Sequence, residues 1–473
     1  MVDPLQREPA EHDGERLPTS SPVTYARRLG LFSATMAVMG GIIGGGIFRT
    51  PAVVAERTGT VQLALLAWAV GGAVALAGAF CYAELAERRP FAGGSYIYLR
   101  DAFGPAPAFL YGWAELLVMQ SGGTAAVALT FANYAGALTG VPQSAELPIA
   151  IAAIALLAGV NYVGVQTAAI TGNVATVLKL IAIALLVAVC LTLPSSADGA
   201  AATTVPVQAP SGPAVLLFGA ALVPVLFTYG GWQQTNMIAE EIVDAPRTLP
   251  RALLLGVTGV IVVYLLANIS YVRALGISGL ATSAAPAADA MRNALGDPGE
   301  KLIAAGIAVS TFGFLNLNLL VTPRLVQAMA ADGMFFAPLA RIHPRFRTPT
   351  AAIVVFAGWV VVLMLSGTFA QLVDYTVFGD WIFFGLSGMA LFIFRRRDGL
   401  RRFDGAPLVF RVPGYPVVPA FFVFAALLGL VGIVATAPLN AAKGAVVLAI
   451  GLLVYPYWRR RRSSRPAARA PQS

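Results

Sequence analysis

The sequence predicts an all-α membrane protein of about twelve transmembrane helices, built as a 5+5 inverted repeat with broken first and sixth helices, plus two extra C-terminal helices. Three observations predict it. The residues are 58% hydrophobic and only 12% charged, with a mean hydropathy of +0.75; soluble domains carry about twice that share of charge. Apolar runs of about 17–25 residues recur from Leu29 onward, each long enough to cross a bilayer. Two of those runs, the first and the sixth, are interrupted in their middle by adjacent glycines.

Residues 1–28 are polar, rich in Pro and Glu and without an apolar core, which predicts a disordered cytoplasmic tail and not a cleaved signal peptide. The transmembrane domain covers 29–457, with spans near 30–52, 61–85, 104–138, 148–165, 171–193, 214–239, 251–275, 301–330, 348–366, 371–394, 416–436 and 441–457. Repeat one takes about 29–193, repeat two about 214–394 and the extra helices about 413–457; residues 458–473 form a basic cytoplasmic tail. The loop from Ser195 to Pro213 is an exterior connection with no visible chemistry.

Arginine placement sets the orientation. The net charge of +9 invites a nucleic-acid partner, but the arginines cluster in particular loops and do not cover a face, so none is expected. Arg27 and Arg28, Arg88, Arg89 and Arg100, Arg247 and Arg251, Arg341, Arg345 and Arg347, Arg395–Arg397 with Arg401 and Arg402, and Arg459–Arg462 all fall on alternate sides of the hydropathy pattern. By the positive-inside rule those sides are cytoplasmic, so both termini lie inside a multi-pass cell membrane, and a bacterial inner membrane suits the pattern. The opposite loops carry only scattered positive charges, Arg57, Arg273, Arg292, Lys301 and Lys443. Cys81 and Cys190 lie in apolar runs and His12 and His343 far apart, so neither a disulfide framework, a metal site nor a cofactor is expected.

The first break is Met39-Gly40-Gly41-Ile42-Ile43-Gly44-Gly45-Gly46-Ile47-Phe48. A spanning helix must satisfy its own backbone, and a broken one survives only where the freed groups face protein, water or a ligand. A half-helix starting near Ile47 aims unpaired N–H groups and a positive dipole end into the gap, which suits a carboxylate. The competing use of these glycines is close helix packing, and the spacing of Gly40 with Gly44 and of Gly41 with Gly45 fits it. The second break, Phe227-Thr228-Tyr229-Gly230-Gly231-Trp232-Gln233-Gln234, favours the site reading, because paired interrupted spans in two halves mark the binding site of an inverted-repeat secondary transporter.

Several ordered motifs carry a family resemblance from about Leu29 to Arg411. They are Gly40-x-Ile42-Ile43-Gly44-x-Gly46-Ile47-Phe48, Tyr82-Ala83-Glu84-Leu85 with Gly93-Gly94-Ser95-Tyr96, and Trp113-x-Glu115-Leu116-Leu117. The second break follows with Glu240-Glu241 and Leu249-Pro250-Arg251-Ala252, then Phe312-Gly313 with Asn316 and Arg324, and Ile342-His343-Pro344 with Thr348-Pro349. In this order they resemble the amino acid–polyamine–organocation superfamily, and within it the L-type amino-acid transporter branch. The resemblance implies that the substrate carboxylate meets the N–H groups of Gly44, Gly45 and Gly46. It also implies that the amino group meets carbonyls at Ile42, Phe227, Thr228 and Gly230, with Phe227 as outer gate. Ile43 and Gln233 are counted with this site, and Trp232 is expected as a pocket neighbour.

Departures from the family pattern bear on selectivity. Gly45 stands where the family commonly has Ser, Leu317 and Asn318 where small residues are usual, and Pro323 is expected to interrupt the eighth span before Arg324. The loop from Thr139 to Leu147 has no cysteine, so no covalent glycoprotein partner is expected.

Remaining ionisable groups complete the reading. Glu240 and Glu241 are expected to pair with arginines such as Arg247 and are no catalytic pair. Glu115 and Asp380 lie within spans, and their roles are left open between gate and structure. Lys179 is the only lysine inside an apolar span, on the order of 12 Å into the membrane if the span begins near Thr171. An intramembrane ionisable residue is a functional hypothesis by default. By the resemblance it occupies the place where sodium-coupled relatives hold sodium, bridging the first and eighth spans.

Three functional classes compete: a secondary transporter of amino acids, a membrane-embedded enzyme, and a receptor. An enzyme needs clustered catalytic residues and a receptor a soluble signalling domain, and the sequence offers neither. With no charged residue seen in the pocket, small or medium neutral L-amino acids are the expected substrates, and the resemblance to the L-type branch, with Lys179 in the sodium place, implies sodium-independent exchange by alternating access. The alternatives are proton symport, or exchange of cationic amino acids or polyamines. Partners are then small-molecule amino acids and the lipid bilayer.

Overall fold

The computed structural model describes residues 23–192, 214–367 and 369–463. Most of the two expected cytoplasmic tails and the Ser195–Pro213 connection lie outside them. The regular structure of the described residues is all helix, with only two isolated bridges, Leu29 with Ile242 and Arg401 with Pro407.

The first expected span is two helices, α1 (Leu31–Ile42) and α2 (Thr50–Thr58), joined by an irregular turn and a 3₁₀ turn at Gly46–Phe48. Pro51 opens α2, where its missing N–H costs nothing. α3 (Val61–Arg88) starts at Thr60, whose hydroxyl accepts the Leu63 N–H, and α4 (Ser95–Phe103) is a short connector. The third span is α5 (Pro105–Ala114), a π turn at Glu115–Met119, and α6 (Gln120–Thr139). α7 (Glu146–Val163) and α8 (Val165–Thr192) finish the first half.

The second half repeats this order. α9 (Ala214–Thr228) breaks and continues as a 3₁₀ segment, Trp232–Glu241. α10 (Ala245–Thr282) kinks at Gly276, one residue beyond the predicted end of its span, and α11 (Pro286–Leu295) is the short connector. α12 (Asp297–Ala331), α13 (Thr350–Ser366) and α14 (Phe369–Asp398) follow, and α15 (Val417–Thr436) and α16 (Pro438–Ser463) lie beyond the halves. α12 runs unbroken through Pro323, contrary to the expected interruption. Neighbouring helices can support the backbone group that such a proline frees.

Among the described residues, 9 helices are long and apolar enough to cross a membrane. The other predicted spans are α13 and the two broken ones, whose pieces are individually too short. Helices at corresponding positions pack together, α3 against α10 and α6 against α12, and α1 lies between α10 and α8. Tyr25 bonds to Gln327 and Trp458 packs on Phe335 and Phe336, so both ends of the described chain meet where α12 finishes. An even number of crossings puts both ends on one side.

Candidate functional site

At the first break the N–H of Gly44 turns back onto the Ile42 carbonyl at 2.9 Å, while those of Gly45 and Gly46 have no backbone partner among the described residues. Gly44, Gly45 and Gly46 all stay outside the left-handed region, Gly45 at φ −81°, so backbone freedom is not what demands glycine here. Space is. A Cβ on Gly46 would lie 2.8 Å from Thr228 Cγ2, and one on Gly41 2.8 Å from the Gly231 carbonyl, whereas Gly45 has nothing within 4 Å. At the second break Gly231 does need its freedom, with φ 107°, and a Cβ there would lie 2.2 Å from the Gly41 carbonyl. The two breaks therefore touch backbone to backbone, which is the packing use of Gly41 and Gly231.

A cavity of about 350 Å³ opens beside this contact, within the range of small-molecule sites. Of the residues expected from sequence, Ile42, Gly44, Gly45, Gly46, Phe227, Thr228, Gly230 and Gln233 line it. Phe227 is 45% exposed. Gln233 accepts the Gly231 N–H at 3.0 Å and so fixes the second break. Trp232 turns away and packs among Tyr82, Phe384 and Phe422.

Ile43 and Lys179 stand behind the wall. Lys179 Nζ donates to the carbonyls of Ile43 at 2.7 Å and Gly40 at 3.3 Å, and Ser310 Oγ donates to the Ile43 carbonyl at 3.2 Å. α8 begins at Val165, earlier than expected, so Lys179 sits at the middle of a 28-residue helix and is fully buried. Snorkelling is thereby ruled out. The ammonium ties α8 to the first break, and Ser310 brings in α12.

Tyr264 and Thr50 at the site gave no sequence signal. Tyr264, fully buried on α10 against Trp68 and Tyr229, donates to the Ile42 carbonyl at 3.0 Å and lies 3.4 Å from that of Thr228. One hydroxyl thus joins both breaks. Thr50 and Thr228 share a 2.8 Å hydrogen bond, which ties α2 to α9. Arg49, Glu115 and Asp380 also line the cavity, so the expectation of a wall free of charged side chains does not hold. The spacing of the sequence could not show that α14 packs on the π turn carrying Glu115.

Toward the end holding the chain termini the bundle is closed. Arg324 forms a two-pronged pair with Glu241 at 2.8 and 3.1 Å, both essentially unexposed. This corrects the expected Arg247 partner, which bonds to Asp244 instead, while Glu240 accepts the Ala92 N–H. The N–H groups of Arg28 and Leu29 donate to the Glu241 carbonyl, and Val243 N–H donates to Leu29. Burial holds the Tyr25 hydroxyl well above the ordinary tyrosine range, with Arg324 opposing only in part, so it stays a donor to Gln327. On the opposite side the cavity wall extends to Arg49, Thr130 and Tyr134, near the far end of α6.

Comparison with known proteins shows the family. The family model described as "Amino acid permease" matches residues 29–455. The chain is 32% identical over 467 residues to Asc-type amino acid transporter 1 of Homo sapiens, covering 93% of this chain and 84% of that one. It is 30% identical over 441 residues to the serine/threonine exchanger SteT of Bacillus subtilis (strain 168), covering 93% and 98%. It is 33% identical over 379 residues to large neutral amino acids transporter small subunit 2 of Mus musculus, covering 77% and 69%.

Proposed function

The chain belongs to the amino acid permease family and is a multi-pass membrane transporter of amino acids, not an enzyme; from that premise we propose that it exchanges L-amino acids, small or medium neutral ones among them, by alternating access and without sodium. The observation that carries the proposal is Lys179, whose ammonium sits on the Ile43 and Gly40 carbonyls beside the Ser310 hydroxyl. A fixed positive charge on those oxygens does the work of a bound cation.

In this reading the substrate carboxylate accepts from the free N–H groups of Gly45 and Gly46, helped by the dipole of the segment that begins there. The ammonium donates to carbonyls of the two breaks. Ile42 accepts from Tyr264 and Gly44, and Phe227 from the Gly230 N–H, so the free lone pairs at Phe227, Thr228 and Gly230 are the better acceptors. Phe227 closes over the cavity on the side away from the chain termini. That side is exterior if the arginine-rich loops are cytoplasmic, and the geometry is then outward-facing with its inner gate, Arg324 with Glu241, shut. The cysteine-free Thr139–Leu147 loop supports function without a covalently attached glycoprotein.

A relative named as an exchanger supports exchange over symport. The test is uptake of labelled amino acid into proteoliposomes with and without internal amino acid, under sodium and proton gradients. Dependence on internal substrate with indifference to both gradients is expected. Uptake into empty vesicles driven by an inward proton gradient overturns exchange, and a sodium requirement overturns the role given to Lys179.

A further inference from the structure

Away from the two breaks, the cavity wall carries more hydrogen-bond acceptors than the protein answers. Glu115 on the π turn and Asp380 on α14 both line it, and no ion pair among the described residues includes either. Glu115 is 3% exposed and has the uncharged Tyr111 hydroxyl beside it as a donor, which leaves its charge unmatched. Two neutral side chains of the same wall repeat the pattern. Asn318 is fully buried and its Oδ1 has no donor, nor has Oε1 of Gln234, which is 5% exposed.

The orientation of the Asn318 amide is fixed by its neighbours. Thr124 donates its hydroxyl proton to the Gln120 carbonyl at 2.5 Å, so its oxygen can only accept from Asn318 Nδ2 at 3.0 Å. Oδ1 is then the atom left over. A buried acceptor without a donor costs about 1–3 kcal/mol, and a carboxylate more, so a wall with this composition awaits a group that brings several donors and positive charge. Arg49 does not supply it, being exposed, without an ion pair among the described residues, and one guanidinium against two carboxylates.

We propose that Glu115 and Asp380 form a cation subsite within the substrate cavity, which takes the side-chain ammonium or guanidinium of a basic amino acid while Asn318 and Gln234 accept its remaining protons. The proposal rests on the exchanger reading for how the α-amino and carboxylate groups are held, and it adds basic L-amino acids to the substrate class. An alkyl side chain of the same length would fill the space and leave both carboxylates without a cation, so the site discriminates by charge. The π turn is what sets Glu115 apart from an ordinary helix position, and such turns recur at functional sites.

The experiment measures binding and exchange separately in purified wild type, Glu115→Gln and Asp380→Asn, using L-lysine and L-norleucine, which has the same four side-chain carbons and no ε-ammonium. Binding is read by competition against a labelled amino acid in detergent, and exchange by counterflow in proteoliposomes. Lysine is expected to bind wild type at least about tenfold more tightly than norleucine, and each variant to bring that ratio down by about tenfold. Norleucine matching lysine on wild type overturns the subsite, whatever the variants do. So does a ratio unchanged in both variants, or variants that alter only the pH dependence of norleucine uptake, which would make the pair a proton site. Lysine preference in binding with no exchange of any amino acid supports the subsite and overturns the exchanger reading.

Discussion

Lys179 Nζ lies 2.7 Å from the carbonyl oxygen of Ile43, so a side chain from the middle of α8 is hydrogen-bonded to the first break. Lys179→Met removes the charge and keeps the volume. It leaves the Ile43 carbonyl with the Ser310 hydroxyl alone. Charged hydrogen bonds contribute about 1.5–3 kcal/mol, so exchange should fall roughly tenfold to a hundredfold. Monodisperse variant protein with wild-type exchange rates would show that the lysine only fills space.

The first-break glycines should respond unequally to side chains. Gly46→Val places its Cβ against Thr228, whose hydroxyl is already held by Thr50 and by the Pro224 carbonyl and cannot yield. Substrate binding should be lost. Gly45→Ser meets open space at an ordinary helical φ, and adds a hydroxyl beside the free N–H groups. One hydrogen bond of about 1 kcal/mol would tighten substrate binding roughly fivefold. Equal loss in both variants, read by competition binding, would place the carboxylate elsewhere.

These contrasts show where sequence reading reaches and where it stops. The twelve spans were legible because hydropathy has few competing explanations in runs of that length, and Lys179 because a charge in such a run demands a partner. Gly231 was legible as a break residue, and its left-handed φ explains it. Tyr264 was not, since a tyrosine in an apolar helix looks like any core aromatic until α10 is packed on α1. Glu241 was paired with Arg247 because they are near in sequence, whereas its partner Arg324 is 83 residues away. The convergence of Glu115 and Asp380 on one cavity likewise depends on packing between α14 and the π turn.

Arg324 and Glu241 make a separable test of the inner gate. The pair is fully buried, so removing one partner strands the other charge, at about 3–5 kcal/mol. Arg324→Met should lower the melting temperature sharply, and the double variant Arg324→Met with Glu241→Met should recover most of the loss. Failure of the second change to rescue the first would mean that Tyr25 and the N-terminal segment, not the ion pair, hold this end shut.

Topology is tested most directly by thiol labelling. Native Cys81 and Cys190 are buried and should stay silent toward an impermeant reagent. Ser283 in the 276–300 connection is a poor labelling position, because its hydroxyl bonds to Asp289 at 2.5 Å, but Ala284 beside it is exposed. On the other side Gly399 has φ 57° and resists a side chain, whereas Leu400 is 41% exposed. Both ends of the described chain lie with Leu400 on the arginine-rich side, where Arg88 reaches the Gly399 carbonyl and Trp458 meets Phe335. If that side is cytoplasmic, Ala284→Cys reacts in intact spheroplasts and Leu400→Cys reacts only after lysis. The reverse pattern would invert the molecule, turn the open cavity toward the cytoplasm, and make Arg324 with Glu241 the outer gate.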